Sequence, residues 1–80
     1  MNEEDRKLLK QVTLLGIMNR KSDETLDEVM HMLVGTGMYT LKEAKGIFKS
    51  LKHEKYIVEG QLTLKGITAA KEAEAIFKQS

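Results

Sequence analysis

A chain of 80 residues has room for one domain and one core, and burying only about 60% of its unfolded surface leaves it marginal unless a second copy adds support. With no cysteine, a disulfide framework and a thiolate zinc site are both excluded, and stability has to come from packing. The net charge of +1, from 13 Lys+Arg against 12 Asp+Glu, gives the chain as a whole little attraction for nucleic acid, and no apolar run approaches the roughly 20 residues that span a bilayer.

The chain opens Met1-Asn2-Glu3-Glu4-Asp5, acidic where a secretory leader carries positive charge, so a cytoplasmic protein is expected. There is no proline, and glycines and helix-start residues provide the punctuation. The first helix is expected over about 3–19: Leu8, Leu9, Val12, Leu15 and Met18 recur near the spacing of one face, and Glu3, Glu4 and Asp5 sit at the positive end of the helix dipole. Gly16 weakens its last turn.

Thr25-Leu26-Asp27-Glu28 has the S/T-x-x-E form of a capping box, which starts a second helix over about 26–34. Leu26, Val29, Met30, Leu33 and Val34 form its apolar stripe, and Gly35 is placed to end it. After a turn through Gly35-Thr36-Gly37-Met38-Tyr39, a second capping box, Thr40-Leu41-Lys42-Glu43, starts a third helix over about 41–53. Leu41, Ala44, Ile47, Phe48 and Leu51 make its buried stripe. Two short amphipathic helices joined by a glycine turn read as a helix-turn-helix.

Tyr56-Ile57-Val58 is a β-forming run, Glu59-Gly60 can turn, and Gln61-Leu62 can pair back, which predicts a very short hairpin over about 56–62. Thr63 then caps a last helix over about 64–78, with Ile67, Ala69, Ala70, Ala73, Ile76 and Phe77 on a wide alanine-rich face that lets another helix come close. The fold class is mainly α with a small β-hairpin, one domain over 1–80 in the order helix, helix, helix, hairpin, helix. Leu8, Val12, Leu15, Val29, Leu33, Ile47, Phe48, Leu51, Ile57 and Leu62 are its expected core.

Charge is unevenly spread. Residues 40 to 55 hold five lysines, Lys42, Lys45, Lys49, Lys52 and Lys55, against Glu43 and Glu54. At about 100° per residue, Lys42, Lys45, Lys49 and Lys52 form a stripe roughly 130° away from the apolar arc of the third helix. A basic stripe is what a phosphate-lined groove demands; it is also what a solvated helix face carries, because lysine is a good helix former.

Two stretches resemble a known family. Phe48-Lys49-Ser50-Leu51-Lys52-His53-Glu54-Lys55-Tyr56-Ile57 is similar to the L-x-x-L-x-x-x-G-[YL]-[IV] pattern at the end of the third helix of the winged helix-turn-helix regulators of bacteria, archaea and phages. Leu62-Thr63-Leu64-Lys65-Gly66 matches the L-T-x-x-G that opens their next helix. With the element order, the resemblance covers nearly the whole chain. The family usually has a left-handed glycine where this chain has Lys55. Its wing is also usually longer, and the short hairpin here does not reach deep into a minor groove.

The resemblance implies a double-stranded DNA-binding regulator with its third helix in the major groove. Lys42, Lys45, Lys49 and Lys52 are the expected phosphate contacts, with Lys55 and Lys65 supporting from the wing and the last helix. Ser50 and His53, or Thr36 and Thr40 at the helix start, are the candidates for base edges. Without an arginine in that helix, there is no bidentate fork and discrimination is expected to be modest. Gly46, mid-helix and outside the apolar arc, suggests either a close backbone approach or a tolerated imperfection, while Tyr39 is expected to pack inward.

His31 and His53 share no spacing with carboxylates that would build a metal site, and no phosphate loop or nucleophile motif is present. No catalytic residue, metal, cofactor or small-molecule ligand is expected, and the chain reads as a non-enzyme. A homodimer is expected because such proteins read two half-sites; the first and last helices, with Leu9, Leu14, Ile17, Ile76 and Phe77, are its expected contact. The near-neutral charge and short hairpin favour the alternative, a winged-helix adaptor or oligomerisation module that binds protein and never touches DNA.

Overall fold

The computed structural model describes residues 2–78. Four helices, α1 (Glu3–Met18), α2 (Leu26–Gly35), α3 (Leu41–His53) and α4 (Leu64–Lys78), surround a core, and the antiparallel strands β1 (Ile57–Val58) and β2 (Gln61–Leu62) stand between the last two. The order and bounds follow the sequence expectation closely, because most boundaries are written in local chemistry. Both capping boxes form: Thr25 and Thr40 accept from the backbone N–H groups of Glu28 and Glu43, and each glutamate accepts in return from its cap's backbone. Asn2 caps α1 by accepting from the Asp5 N–H at 2.8 Å.

Two helix ends differ from expectation in the residue that makes them. Gly35 is the last residue of α2 and not its terminator; Gly37, at φ 82°, takes the left-handed position, with its N–H donating to the Val34 carbonyl. At the end of α3 the left-handed residue is Lys55, at φ 66°. The Tyr56 N–H donates to the Leu51 carbonyl and the Lys55 N–H to the Lys52 carbonyl, the two bonds of a Schellman motif. A lysine thus occupies a conformation that costs an L-residue roughly 1 kcal/mol or more, held by those bonds and by Thr63, whose hydroxyl donates to the Lys55 carbonyl at 2.7 Å.

The hairpin turns on two residues. Glu59 (φ 52°) and Gly60 (φ 77°) both have positive φ, the type I′ geometry that matches strand twist, and pair Ile57 with Leu62 and Val58 with Gln61. Ile57 points into the core and Val58 outward.

Val29, Leu33, Ile47, Phe48, Leu51 and Ile57 are buried as expected, and Leu62 is half-buried against them. On α1 the expected face is corrected. Thr13, Leu14 and Ile17 are the buried residues, Val12 and Leu15 are half-buried, and Leu8 is 47% exposed. The reason is that α1 carries apolar residues on two sides, and its packing on α4 as well as on α2 and α3 selects the side that includes Leu14 and Ile17. Those two residues, expected at a dimer contact, lie within the chain's own core; of the other expected contacts Ile76 is 53% exposed and Leu9 and Phe77 are half-buried. Ala70 and Ala73, both fully buried, let α4 approach its neighbours.

Thr13, the buried polar side chain of the core, donates to the Leu9 carbonyl at 2.7 Å and so receives the Tyr39 hydroxyl at 2.9 Å. Tyr39 therefore packs inward, and burial pushes its phenol pKa up.

Leu51 is fully buried and its carbonyl closes α3. Leu51→Ala is expected to cost about 2 to 5 kcal/mol, read as a fall in the urea midpoint with an unchanged slope; a variant that melts like the parent contradicts this packing.

Candidate functional site

The helical stripe of α3 places Lys42, Lys45, Lys49 and Lys52 in solvent, outside the buried arc of Ala44, Ile47, Phe48 and Leu51. Among the described residues these four side chains make no ion pair and no hydrogen bond. Other bases do: Lys10 pairs with Glu54, Lys78 with Glu74, and Arg6 donates to the Ser50 hydroxyl. Four like charges on three turns repel one another unless an anion lies over them.

The remaining expected site residues divide. His53 is exposed at the end of the stripe, and Lys55 follows it at the helix end, also exposed. Ser50 lies on the opposite flank of α3, half-buried and engaged by Arg6. Lys65 is engaged as well: its ammonium donates to the Glu54 carbonyl at 2.8 Å and stands 4.4 Å from the centre of the Tyr56 ring, serving the negative end of α3 and a cation–π contact. Thr40 is occupied as a cap, and Thr36 donates to the Leu33 carbonyl at 2.6 Å. A Cβ built on Gly46 meets nothing within 4 Å, so helix packing does not demand that glycine.

Three features were not legible in the sequence. Arg6 and Lys10 reach from α1 to α3 across 44 positions of chain. Arg20, in the α1–α2 connection, donates to the Gly60 carbonyl at the hairpin turn at 3.3 Å. Between α2 and α3 lies an open groove of about 260 Å³, lined by the apolar Leu26, Met30 and Phe48, by Lys45, Lys49 and Lys52, and by Asp27 as its one carboxylate. Contacts of this kind join residues far apart in the chain and leave no local pattern.

The hydrogen bond from Lys10 holds the Glu54 carboxyl below its usual range, and the charges of Lys10, Lys65 and Arg6 act in the same direction. The Thr40 backbone N–H and then its hydroxyl lower Glu43 likewise. A carboxylate whose folded pKa is depressed stabilises the fold above its unfolded value, and that contribution is lost as the pH falls through the folded one. Stability should thus be flat above the ordinary carboxylate range and decline below it. Lys10→Met is expected to make the decline in urea midpoint shallower, by a small amount for a pair this exposed; an unchanged acid limb refutes the assignment to Glu54.

Among the described residues no group of three or more His, Asp or Glu side chains is placed to hold a metal, and no helix is long and apolar enough to cross a membrane. Comparison with protein-family models, with curated proteins and with solved structures finds no match for this chain.

Proposed function

We propose that this protein is a winged helix-turn-helix that binds double-stranded DNA as a regulator in the cytoplasm, with α3 in the major groove and the β1–β2 hairpin as a minimal wing. The observation that carries the reading is the set of four exposed lysines, Lys42, Lys45, Lys49 and Lys52, left without carboxylate partners among the described residues on the second helix of a helix-turn-helix. Each lysine that neutralises a phosphate releases condensed counterions and adds affinity whatever the sequence. His53 and Lys55 continue the same end of the helix toward the wing, while Ser50 and Lys65 act within the fold. The open backbone at Gly46 fits close approach to a phosphate.

A homodimer would set two such helices about one turn of DNA apart. Leu8 on α1, with Leu64 and Ile76 on α4, are exposed large apolar residues that would serve it, and sedimentation as a monomer at high micromolar concentration excludes it.

The test is retardation of a generic duplex at about 50 mM salt, with the affinity falling along a log-log line as salt rises. No retardation under these conditions refutes the reading.

A further inference from the structure

The lysines of α3 do not all stand at the crest of the helix. Lys42, Gly46 and His53 lie opposite the buried arc, whereas Lys45, Lys49 and Lys52 lie to one side and line the groove against α2. Duplex DNA has a use for those three charges but none for the apolar floor beneath them, formed by half-buried Leu26 and the edges of the core residues Met30 and Phe48. A ligand that satisfies both has carboxylates to meet the lysines and an apolar side chain to fill the space between the helices.

We propose that this groove docks an acidic amphipathic segment of a partner protein, which competes with DNA for Lys45, Lys49 and Lys52. Two observations support that occupant. The charge is complementary, three lysines against Asp27 alone, so an acidic segment is drawn in and a basic one repelled. The volume of about 260 Å³ suits one or two inserted leucine-sized side chains and not a buried helix. Partner helices present such anchors one turn apart with charges beside them, so a short helical segment supplies two leucines and flanking carboxylates. Competition with DNA rests on the function proposed above; docking itself does not.

The probe is a fluorescein-labelled helix-forming peptide of about 15 residues with two leucines four apart and glutamates flanking them. Its companion has both leucines replaced by serine at the same charge. Fluorescence anisotropy on the full chain should show the leucine peptide binding at least tenfold more tightly than the serine peptide. Lys45→Gln with Lys49→Gln should weaken it by a similar factor, and unlabelled leucine peptide should release bound duplex. Leu26→Ser should lower peptide affinity while sparing duplex affinity; should that variant fail to fold, the peptide pair on the unaltered protein gives the same answer. Equal binding of the two peptides, or none at about 50 mM salt, overturns the proposal. Leucine-dependent binding without any duplex binding upholds the groove and refutes the DNA reading; duplex binding that the bound leucine peptide does not displace upholds the DNA reading and refutes the competition.

Discussion

Replacing Gly66 with alanine is expected to cost about 3 kcal/mol or more, enough to unfold a large fraction of a domain this small. A Cβ at that position would lie 2.2 Å from the Tyr56 carbonyl oxygen and 3.0 Å from Leu62 Cδ2. The first neighbour is backbone and cannot swing aside. It is also committed, because the same oxygen accepts from the Thr63 N–H at 3.0 Å, while Thr63 caps α4 by accepting from the Gly66 N–H. Relieving the clash therefore separates α4 from the hairpin and breaks the cap together. For a chain of this size each kcal/mol lowers Tm by roughly 4 to 8 °C, so a fall of more than about 12 °C should be seen by circular dichroism. Gly46→Ala is the matched control: its added Cβ meets nothing within 4 Å, and it should stabilise by up to about 1 kcal/mol through helix propensity. Equal melting of the two variants would contradict the close approach at Gly66.

Lys45→Gln combined with Lys49→Gln is expected to weaken duplex binding for every sequence alike and to lower the log-log salt slope by about two units. Both side chains are exposed and unpaired among the described residues, so their removal takes nothing from the fold and relieves repulsion along α3. The double variant should melt at or slightly above the parent, which separates lost binding from lost structure. Lys65→Gln makes the contrast. Because Lys65 holds the Glu54 carbonyl and the Tyr56 ring, it should lower stability modestly and leave the salt slope unchanged. A folded Lys45, Lys49 double variant with full duplex affinity would remove α3 from the interface.

The parts of this fold legible in the sequence are those with a local cause. The two capping boxes bind within four residues of chain, so Thr25 and Thr40 announce α2 and α3. The stripe of α3 is single-sided, so spacing alone names its buried Ala44, Ile47, Phe48 and Leu51; Leu41, expected with them, is 37% exposed at the first position of the helix. Where the cause is not local, the reading failed or stayed open. On α1 two apolar sides compete, and spacing cannot say which one α4 covers, so Leu8 was expected inside and Leu14 at an interface. The lysine stripe was legible because it lies on one helix, but the engagement of Ser50 and Lys65 was not, since Arg6, Glu54 and Tyr56 reach them only after the chain has folded.

The glycines make the division clearest. By itself the sequence determined that a chain with no proline turns within residues 35–39 and at Glu59-Gly60, because glycine reaches positive φ without strain, although it put the end of α2 at Gly35 and not at Gly37. It determined as well that the positive charge of the chain concentrates between residues 40 and 55. Only the tertiary structure decided that Lys55 adopts the left-handed conformation in place of a glycine, since the two backbone bonds to Leu51 and Lys52 and the Thr63 hydroxyl outweigh the local strain. It alone decided that a Cβ has no room at Gly66 and meets nothing at Gly46. Both sit in helices, but α4 is pressed against the Tyr56 carbonyl just ahead of β1 and the outer face of α3 is open.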